Sequence, residues 1–329
     1  MPASPGSRPP PLPGSALSPL NRTMTPKVKT FLERLFSTVV LLSLLGAAVG
    51  FNEPAGYAVL ICLFCNLTTV EWHNMLRSRA ETTSRPLALA AGLVYPWLMA
   101  AGVLFNDEWF NGLFQFAPVA LGCLVFYALA CFFCELIRMD YKGRTGAQAL
   151  ASVGTGLLAF VYPVWLFAFA LAALGSEYAV YSLLWLILVT KMSDIWAYVC
   201  GVLTGGRFIT RRFSPTVSPK KTWEGIIGSL IITTLVAWLI SGMADFRAFL
   251  GQPGEFCGLA VYTSPVFFLV LMPALFVLSV AGDLAGSLIK RGLEVKDSGS
   301  LLPGIGGIFD LIDSPAFTVS FAVAVLGIL

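Results

Sequence analysis

Residues 282–314 combine acids, bases and glycines beside apolar segments of the chain. Charged side chains are costly inside a membrane, so a cluster of them in an otherwise apolar chain indicates a functional site. Asp283, Asp310 and Asp313 occur here with three basic residues and a glycine-rich turn. Such a set can hold a divalent metal ion and phosphate groups at a membrane surface.

The first part of this segment has helical spacing. Asp283, Ser287, Lys290 and Glu294 follow one another at intervals of four, three and four residues. If the preceding apolar helix continues this far, these side chains share one face, because residues three and four apart are neighbours on a helix. An acid, a hydroxyl and a cation would then line a single stripe.

A turn and a second helix are predicted beyond that stripe. Residues 303–307 contain a proline and three glycines, which allow the backbone to approach a ligand closely. Asp310 and Asp313 follow on a new helical turn. Mg²⁺ prefers a few carboxylates together with substrate phosphate oxygens, so we predict a metal site formed by Asp283, Asp310 and Asp313.

A second basic segment lies near residue 220. Ser218 is a favoured helix N-cap and Pro219 a favoured first helical residue, so the pattern predicts that a helix begins here. Free N–H groups at a helix start attract phosphate, and Lys220 and Lys221 would add positive charge. The segment is a predicted triphosphate-binding site. The alternative is a positively charged membrane anchor without a ligand.

A charged pair inside an apolar window is the third candidate. Lys191 and Asp194 either belong to the same site or merely neutralise each other. Together the three segments indicate phosphoryl or nucleotidyl transfer, in which metal and cations position and neutralise phosphates without a covalent nucleophile. The single histidine, His73, lies far away in sequence, which argues against a Ser-His-Asp hydrolase.

The composition identifies the elements that must position these residues. With 57% hydrophobic and 12% charged residues and a mean hydropathy of +0.80, the chain reads as an all-α, polytopic integral membrane protein. A spanning helix takes roughly 20 apolar residues. We predict about nine transmembrane helices, in the windows 35–51, 56–70, 87–105, 117–137, 150–174, 179–203, 225–242, 260–281 and 315–329.

The charges between the windows predict the orientation and the regions of the chain. Because Lys and Arg of short loops stay in the cytoplasm, a cytoplasmic N-terminus puts twenty of the 21 Lys and Arg residues inside. The net charge of +3 is spread over many loops, so nucleic acid is not a predicted partner. Residues 1–24 are a predicted disordered Pro/Ser-rich tail, 25–175 an amino-terminal transmembrane region, and 176–329 the catalytic transmembrane region.

At these residues the chain resembles the phosphatidate cytidylyltransferases, the CDP-diacylglycerol synthases of bacterial membranes. The resemblance covers mainly residues 190–329 and follows a long, specific pattern. It is carried by Ser218-Pro219-Lys220-Lys221-Thr222-Trp223-Glu224-Gly225, Ser287, Lys290-Arg291, Lys296-Asp297, Leu302-Pro303-Gly304, Gly306-Gly307 and Asp310-x-x-Asp313. It implies an enzyme of phospholipid biosynthesis that converts CTP and phosphatidic acid, or a close lipid phosphate, to CDP-diacylglycerol and pyrophosphate.

The resemblance also implies roles for individual residues. A metal pair, Mg²⁺ with a monovalent cation such as K⁺, is expected at Asp283 and Asp310, with Asp313 completing the site. Lys290 and Lys296 join the aspartates as expected catalytic residues. We assign substrate binding to Ser218, Lys220, Lys221, Ser287, Arg291, Gly306, Gly307 and Asp194. A homodimer in the bacterial inner membrane, with its active site facing the cytoplasm, is the expected form.

Two positions depart from the family pattern. Ile305 stands where the family usually has histidine, and Leu311 where it usually has arginine. Loss of a polar and a cationic group should weaken anion binding or indicate another lipid acceptor. Two alternatives therefore stay open. One is a CTP-dependent lipid kinase, which would release CDP, and the other is a non-catalytic or transport relative.

Overall fold

The computed structural model describes residues 54–79, 85–105, 116–175, 179–242 and 267–326, parts of 32–47, and the pairs 255–256 and 259–260. The helices used below are α1 Pro54–Arg79, α2 Arg85–Leu104, α3 Phe116–Lys142, α4 Gly146–Phe160, α5 Ala179–Thr204, α6 Trp223–Gly242, α7 Met272–Gly292 and α8 Phe309–Leu326. Strands in the described part form two short antiparallel hairpins, β1 Arg212–Ser214 with β2 Ser218–Thr222, and β3 Glu255–Phe256 with β4 Leu259–Ala260. The all-α prediction is confirmed apart from these hairpins.

Several helices have the length and composition of membrane spans. Within the described residues there are six such segments: Pro54–Leu76, Pro86–Leu104, Phe116–Tyr141, Gly146–Ala172, Leu183–Thr204 and Leu269–Gly292. This confirms a polytopic integral membrane protein. The count of nine helices and the cytoplasmic N-terminus stay predictions. The tail 1–24 lies outside the described residues, and the window 35–51 lies only partly within them.

Helix α1 extends well beyond the predicted window 56–70. The window ended before Glu71, the first charged residue of this helix, and the fold accommodates this carboxylate and the polar residues just before it. The hydroxyls of Thr68 and Thr69 donate to carbonyl oxygens four residues earlier, at 2.7 and 2.8 Å. Glu71 is buried, with 8% of its surface exposed, and accepts hydrogen bonds from residues near the other end of the chain. Tertiary contacts therefore carry the helix past the apolar window.

Helix α4 continues through an irregular stretch that locks α7 to α8. Pro163 lacks the N–H that an α-helix uses, and the chain there passes through a wider π-helical turn, Val161–Trp165. In that turn the hydroxyl of Tyr162 donates to the carbonyl oxygen of Gly282 in α7 at 2.6 Å. It also lies 3.2 Å from the carbonyl oxygen of Asp313 in α8. One buried tyrosine therefore bridges the two helices.

An aromatic core lies beneath this bridge. The ring of Phe309, fully buried at the start of α8, meets Trp72 of α1 edge-on at 5.1 Å between ring centroids. Tyr162 packs edge-on against the same ring at 5.3 Å. Edge-to-face aromatic pairs add specific geometry to hydrophobic burial. The amino-terminal helices are thus packed directly against the helix that carries Asp310 and Asp313.

The prediction that Ser218 and Pro219 begin a helix is wrong. Both residues lie in β2, which pairs antiparallel with β1. Helix α6 begins at Trp223, where the hydroxyl of Thr222 accepts a hydrogen bond from the amide of Gly225 at 3.1 Å. This contact is an N-cap, and Thr222 is buried. Pairing with β1 outweighs the local Ser-Pro preference.

The predicted stripe on α7 is also shorter than expected. Asp283, Ser287 and Lys290 lie within the helix, but α7 ends at Gly292. Glu294 lies beyond that end with a left-handed φ of 56°, a conformation that commonly closes a helix. The prediction that Glu294 shares the face of the other three residues is therefore wrong.

Candidate active site

Seven charged side chains from four elements meet around the second half of α7 and the start of α8. Ion pairs link Lys221 to Asp283, Lys191 to Asp194, and Lys290 to the two aspartates of α8. Burial, together with the charges of Asp283 and Asp194, raises the pKa of Asp313 above its usual value, against the opposing effect of Lys191 and Lys290. All three segments singled out in the sequence therefore converge, with the charged groups Lys191, Asp194, Lys221, Asp283, Lys290, Asp310 and Asp313.

The two consecutive lysines of β2 have different environments. Side chains alternate between the faces of a strand, so neighbouring residues point in opposite directions. Lys221 is half-buried and forms an ion pair with Asp283 of α7. Lys220 is exposed. The hairpin thus delivers one lysine to the aspartate of α7 and leaves the other available at the surface.

Lys290 lies between the two aspartates of α8. Its ammonium nitrogen is 2.5 Å from Oδ1 of Asp310 and 3.8 Å from Oδ2 of Asp313. Only 10% of the Lys290 side chain is exposed, and the two aspartate side chains are exposed by 11% and 4%. Charges buried to this degree are retained only with partners, so these three groups depend on one another.

Asp310 also organises the loop that precedes α8. Its Oδ2 accepts hydrogen bonds from the amide and hydroxyl of Ser298 and from the amide of Gly307, each at 2.9 Å. Burial alone would raise the pKa of Asp310, but Lys290 and these donors outweigh it and the pKa is lowered. Asp310 is thus held as a carboxylate by groups from both sides of the loop.

Glycines allow this loop and α8 to approach closely. A Cβ atom at Gly306, whose φ is 124°, would lie 2.5 Å from Oδ2 of Asp310. On α7, a Cβ at Gly282 would lie 2.6 Å from the carbonyl oxygen of Asp313, and one at Gly286 would lie 3.1 Å from its Oδ2. Gly306 and Gly307 were predicted to let the backbone approach a ligand, and here they let it approach the side chain of Asp310. Their assignment to substrate binding stays a prediction.

Other predicted site residues surround this cluster. Arg291 and Lys296 are exposed, and the guanidinium of Arg291 donates to the carbonyl oxygen of Val295 at 3.1 Å. Ser218 and Ser287 are half-buried. None of these four residues takes part in the ion pairs described above. Their assignment to substrate binding stays a prediction.

The two positions that depart from the family pattern are Ile305, in the loop before α8, and Leu311, in the first turn of α8. Ile305 and Leu311 are partly buried and pack against the hydrophobic core. Both side chains therefore contribute apolar packing where the family pattern has polar groups. The ion pairs that Lys221 and Lys290 form with aspartates are present beside these replacements.

The donor atoms of the cluster suit a hard divalent cation in kind, because carboxylate oxygens are ligands that Mg²⁺ prefers. Across the described ranges, no three Asp, Glu, His or Cys side chains converge into a ready-made metal-binding group. Asp283 and Asp310 each contact a lysine ammonium instead. Each of these two carboxylates therefore already has a lysine as its positively charged partner.

Two carboxylates to which no sequence pattern assigned a role shape the site. Glu71 of α1 accepts hydrogen bonds from the amides of Ile308 and Phe309 at 2.8 and 3.0 Å, at the start of α8. The sequence does contain one indication that Glu71 has a partner, because a carboxylate in an apolar helix is costly without one. The partner itself lies 237 residues away in sequence, so no local pattern could reveal it.

The second missed carboxylate is Glu224, in the first turn of α6. Its Oε1 accepts hydrogen bonds from the amides of Gly206, Phe208 and Ile209 at 3.0, 3.1 and 2.9 Å. These backbone donors, foremost the amide of Ile209, lower the pKa of Glu224 to about 2. Glu224 thereby ties the loop before β1 to the helix after β2 and holds the hairpin in place.

Comparison with known proteins identifies the family of the chain. The model of the cytidylyltransferase family matches residues 32–329. The chain belongs to the cytidylyltransferase family. This confirms the family resemblance drawn from the motifs, and the match extends through the amino-terminal helices as well.

Curated relatives of this chain are phosphatidate cytidylyltransferases of bacteria. The one from Haemophilus influenzae is 37% identical over 128 residues, which are 39% of this chain and 41% of the relative. The one from Helicobacter pylori strain 26695 is 31% identical over 185 residues, 56% of this chain and 61% of the relative. The one from Mycobacterium bovis is 37% identical over 130 residues, 37% of this chain and 33% of the relative. The matches thus span between a third and about three fifths of these relatives.

Proposed function

We propose that this cytidylyltransferase is a phosphatidate cytidylyltransferase, which makes CDP-diacylglycerol for phospholipid synthesis. A phosphate oxygen of the lipid attacks the α-phosphorus of CTP, a new P–O–P bond forms, and the bond to the β-phosphate breaks. Pyrophosphate leaves with the bonding electron pair. The convergence of four aspartates and three lysines from four separate elements supports this proposal most strongly.

The lysines supply the charge that this reaction needs. Two phosphorylated substrates repel each other, and catalysis of phosphoryl or nucleotidyl transfer consists mainly of positioning them and neutralising their charge. Lys221 and Lys290 are paired with aspartates. When phosphates enter, these ammonium groups exchange their carboxylate partners for phosphate oxygens. The exposed Lys220, Arg291 and Lys296 attract the same anions at the surface.

The aspartates released by that exchange are the proposed metal ligands. Asp283 and Asp310 would hold Mg²⁺, with K⁺ as the proposed monovalent ion, and Asp313 would complete or orient the site. Mg²⁺ is commonly bound by one or two carboxylates plus substrate phosphates, which fits carboxylates that do not form a closed cage. Bound there, the metal would stabilise negative charge on the α-phosphate and on the leaving pyrophosphate.

The distribution of basic residues supports a site on the cytoplasmic side of the membrane. Cations of short loops stay in the cytoplasm, and residues 207–222, which contain the first hairpin, carry five basic side chains and no acidic one. We therefore propose a bacterial inner-membrane enzyme whose site opens at the cytoplasmic leaflet, where CTP is available. The homodimer expected from the family resemblance stays a prediction.

The reaction can be tested with the full-length protein in detergent micelles containing phosphatidic acid, Mg²⁺ and CTP labelled at the α-phosphate. We expect labelled CDP-lipid and one pyrophosphate for each lipid converted. A panel of other lipid phosphates then determines whether Ile305 and Leu311 changed the acceptor. Release of CDP with phosphate transfer to a lipid would indicate a kinase, and absence of any lipid product across the panel would refute the proposal.

Variants of the aspartates test the site itself. Asp283→Asn and Asp310→Asn should each lower kcat by roughly 10²- to 10³-fold, the usual effect of removing one group that stabilises charge in a transition state. Asp140→Asn is a matched control, because Asp140 is exposed at the end of α3 and α3 contributes none of the seven charged groups. Comparable loss of turnover in all three variants would contradict the assignment.

A further inference from the structure

The buried carboxylate of Glu71 contacts the loop and helix that carry Asp310. Oε1 accepts from the amide of Ile308, Oε2 accepts from the amide of Phe309, and the hydroxyl oxygen of Ser298 lies 3.2 Å from Oε2. The two amides belong to the start of α8, where N–H groups lack partners within the helix. A carboxylate at this end is also favoured by the helix dipole.

The loop is shaped to receive this carboxylate. A Cβ atom at Gly299 would lie 2.9 Å from Oε1 of Glu71 and 3.1 Å from its carboxyl carbon. One at Gly307 would overlap both Oε2 of Glu71 and the hydroxyl of Ser298. Real Cβ contacts are never this short, so larger residues at either position would displace Glu71. Two glycines of the loop thus leave space for a side chain from α1.

A single hydroxyl connects Glu71 to the proposed metal ligand. Ser298 is buried, and its hydroxyl oxygen lies 3.2 Å from Oε2 of Glu71 and 2.9 Å from Oδ2 of Asp310. The amide of Ser298 donates to the same Asp310 oxygen at 2.9 Å. Any shift of the loop away from Glu71 therefore moves two of the donors that orient Asp310.

We infer that Glu71 is a positioning residue of the active site. Through the loop 298–309 it fixes Asp310, so that the amino-terminal helices determine the geometry of the carboxyl-terminal catalytic residues. The inference rests on the proposed function, because the role of Asp310 is taken from it. A second consequence concerns phosphate binding. Since Glu71 accepts from the amides of Ile308 and Phe309, these two amides at the start of α8 are not available to substrate phosphate.

Glu71→Gln is the decisive variant because it preserves shape. The amide of glutamine has one acceptor oxygen, and its NH₂ group faces a backbone N–H that needs an acceptor. One of the two bonds to α8 is therefore lost. Glu135→Gln is the matched control. Glu135 is a buried carboxylate of α3 that accepts a hydrogen bond from a serine hydroxyl at 3.0 Å and pairs with Arg144, but it contacts no residue of the cluster.

Hydrogen exchange measured by mass spectrometry on the full-length protein reports on the loop without depending on turnover. We expect faster exchange in residues 298–312 of Glu71→Gln than in wild type or Glu135→Gln. We also expect kcat to fall roughly 10- to 100-fold while KM for CTP stays within about twofold, because a misplacement of about 1 Å costs that much in rate. The Mg²⁺ concentration for half-maximal activity should rise in the same variant.

Two outcomes would overturn the inference. One is unchanged exchange in residues 298–312, and the other is a loss of kcat no larger than in Glu135→Gln. If Glu71→Gln does not fold, Ser298→Ala removes the shared hydroxyl without changing a buried charge, and the same two results are expected and the same two would overturn it. Failure of the proposed reaction would give a different result. The wild-type protein would make no CDP-lipid, while residues 298–312 of Glu71→Gln would still exchange faster than in wild type.

Discussion

Replacing Lys290 by methionine removes the cation that two buried aspartates share. With an effective dielectric constant of about 20, the attraction is about 7 kcal/mol to Asp310 at 2.5 Å and about 4 kcal/mol to Asp313 at 3.8 Å. Most of this attraction is offset by the cost of burying the ammonium group. Breaking a buried pair by removing one partner nevertheless costs about 3–5 kcal/mol, because the remaining charge is left uncompensated.

We therefore expect Lys290→Met to lower the free energy of unfolding by about 3–5 kcal/mol in the absence of Mg²⁺. The assay is denaturation in mixed micelles, followed by far-UV circular dichroism. Lys220→Met is the control, because the exposed Lys220 lies outside the cluster and surface substitutions usually change stability by less than about 0.5 kcal/mol.

A double variant separates the loss of charge pairing from a loss of packing. Neutralising Asp313 in the Lys290→Met background removes one uncompensated carboxylate, so Asp313→Asn should cost less there than in wild type. The expected coupling energy is about 1–3 kcal/mol. Two results would contradict charge pairing at Lys290. One is an equal free energy of unfolding for Lys290→Met and Lys220→Met, and the other is a double variant whose loss of stability equals the sum of the losses in Lys290→Met and Asp313→Asn.

Two further predictions concern the hairpin and the contact between α7 and α8. The folded pKa of Glu224, about 2, lies below its ordinary value of 4.5, so its stabilisation of the loop 206–209 is complete above pH 4.5 and is lost as the pH falls toward 2. Amide protection factors of that loop should fall across this interval in wild type and be low throughout in Glu224→Gln; equal profiles would contradict the role. Gly286→Ala should lower thermal stability and turnover, because its Cβ would meet the Asp313 side chain at 3.0 Å, whereas Gly292→Ala meets nothing within 4 Å. Indistinguishable melting curves for the two alanine variants would argue against close packing of α7 on α8.

The residues of α7 and α8 were predictable because their arrangement is local. Helical periodicity placed Asp283 and Lys290 on one face and Asp310 and Asp313 on the next helix, and the structure has both arrangements. The intramembrane cost of charge was a correct guide to the cluster as well. What periodicity cannot supply is the pairing between helices, such as Lys290 lying between the two aspartates.

Errors arose where distant contacts outweigh local preference. Ser218 and Pro219 have the residue types of a helix start, but pairing with β1 extends them and Thr222 caps the helix instead. The same strand places the side chains of Lys220 and Lys221 on opposite faces, whereas the predicted helix start would have held both near one phosphate. Glu71 was missed because its partners lie in the last sixty residues of the chain.

The proposed site requires charged groups from segments far apart in sequence to meet in one place, and crosslinking of paired cysteines in membranes measures that proximity. In a background whose seven cysteines are replaced, Lys221→Cys with Asp283→Cys should be joined readily by a bifunctional thiol reagent about as long as the lost lysine–aspartate pair, and CTP with Mg²⁺ should slow the reaction. Lys220→Cys with Asp283→Cys should crosslink far more slowly, because Lys220 points away from α7. Equal rates for the two pairs, or no crosslink in either, would contradict the convergence on which the proposed function rests.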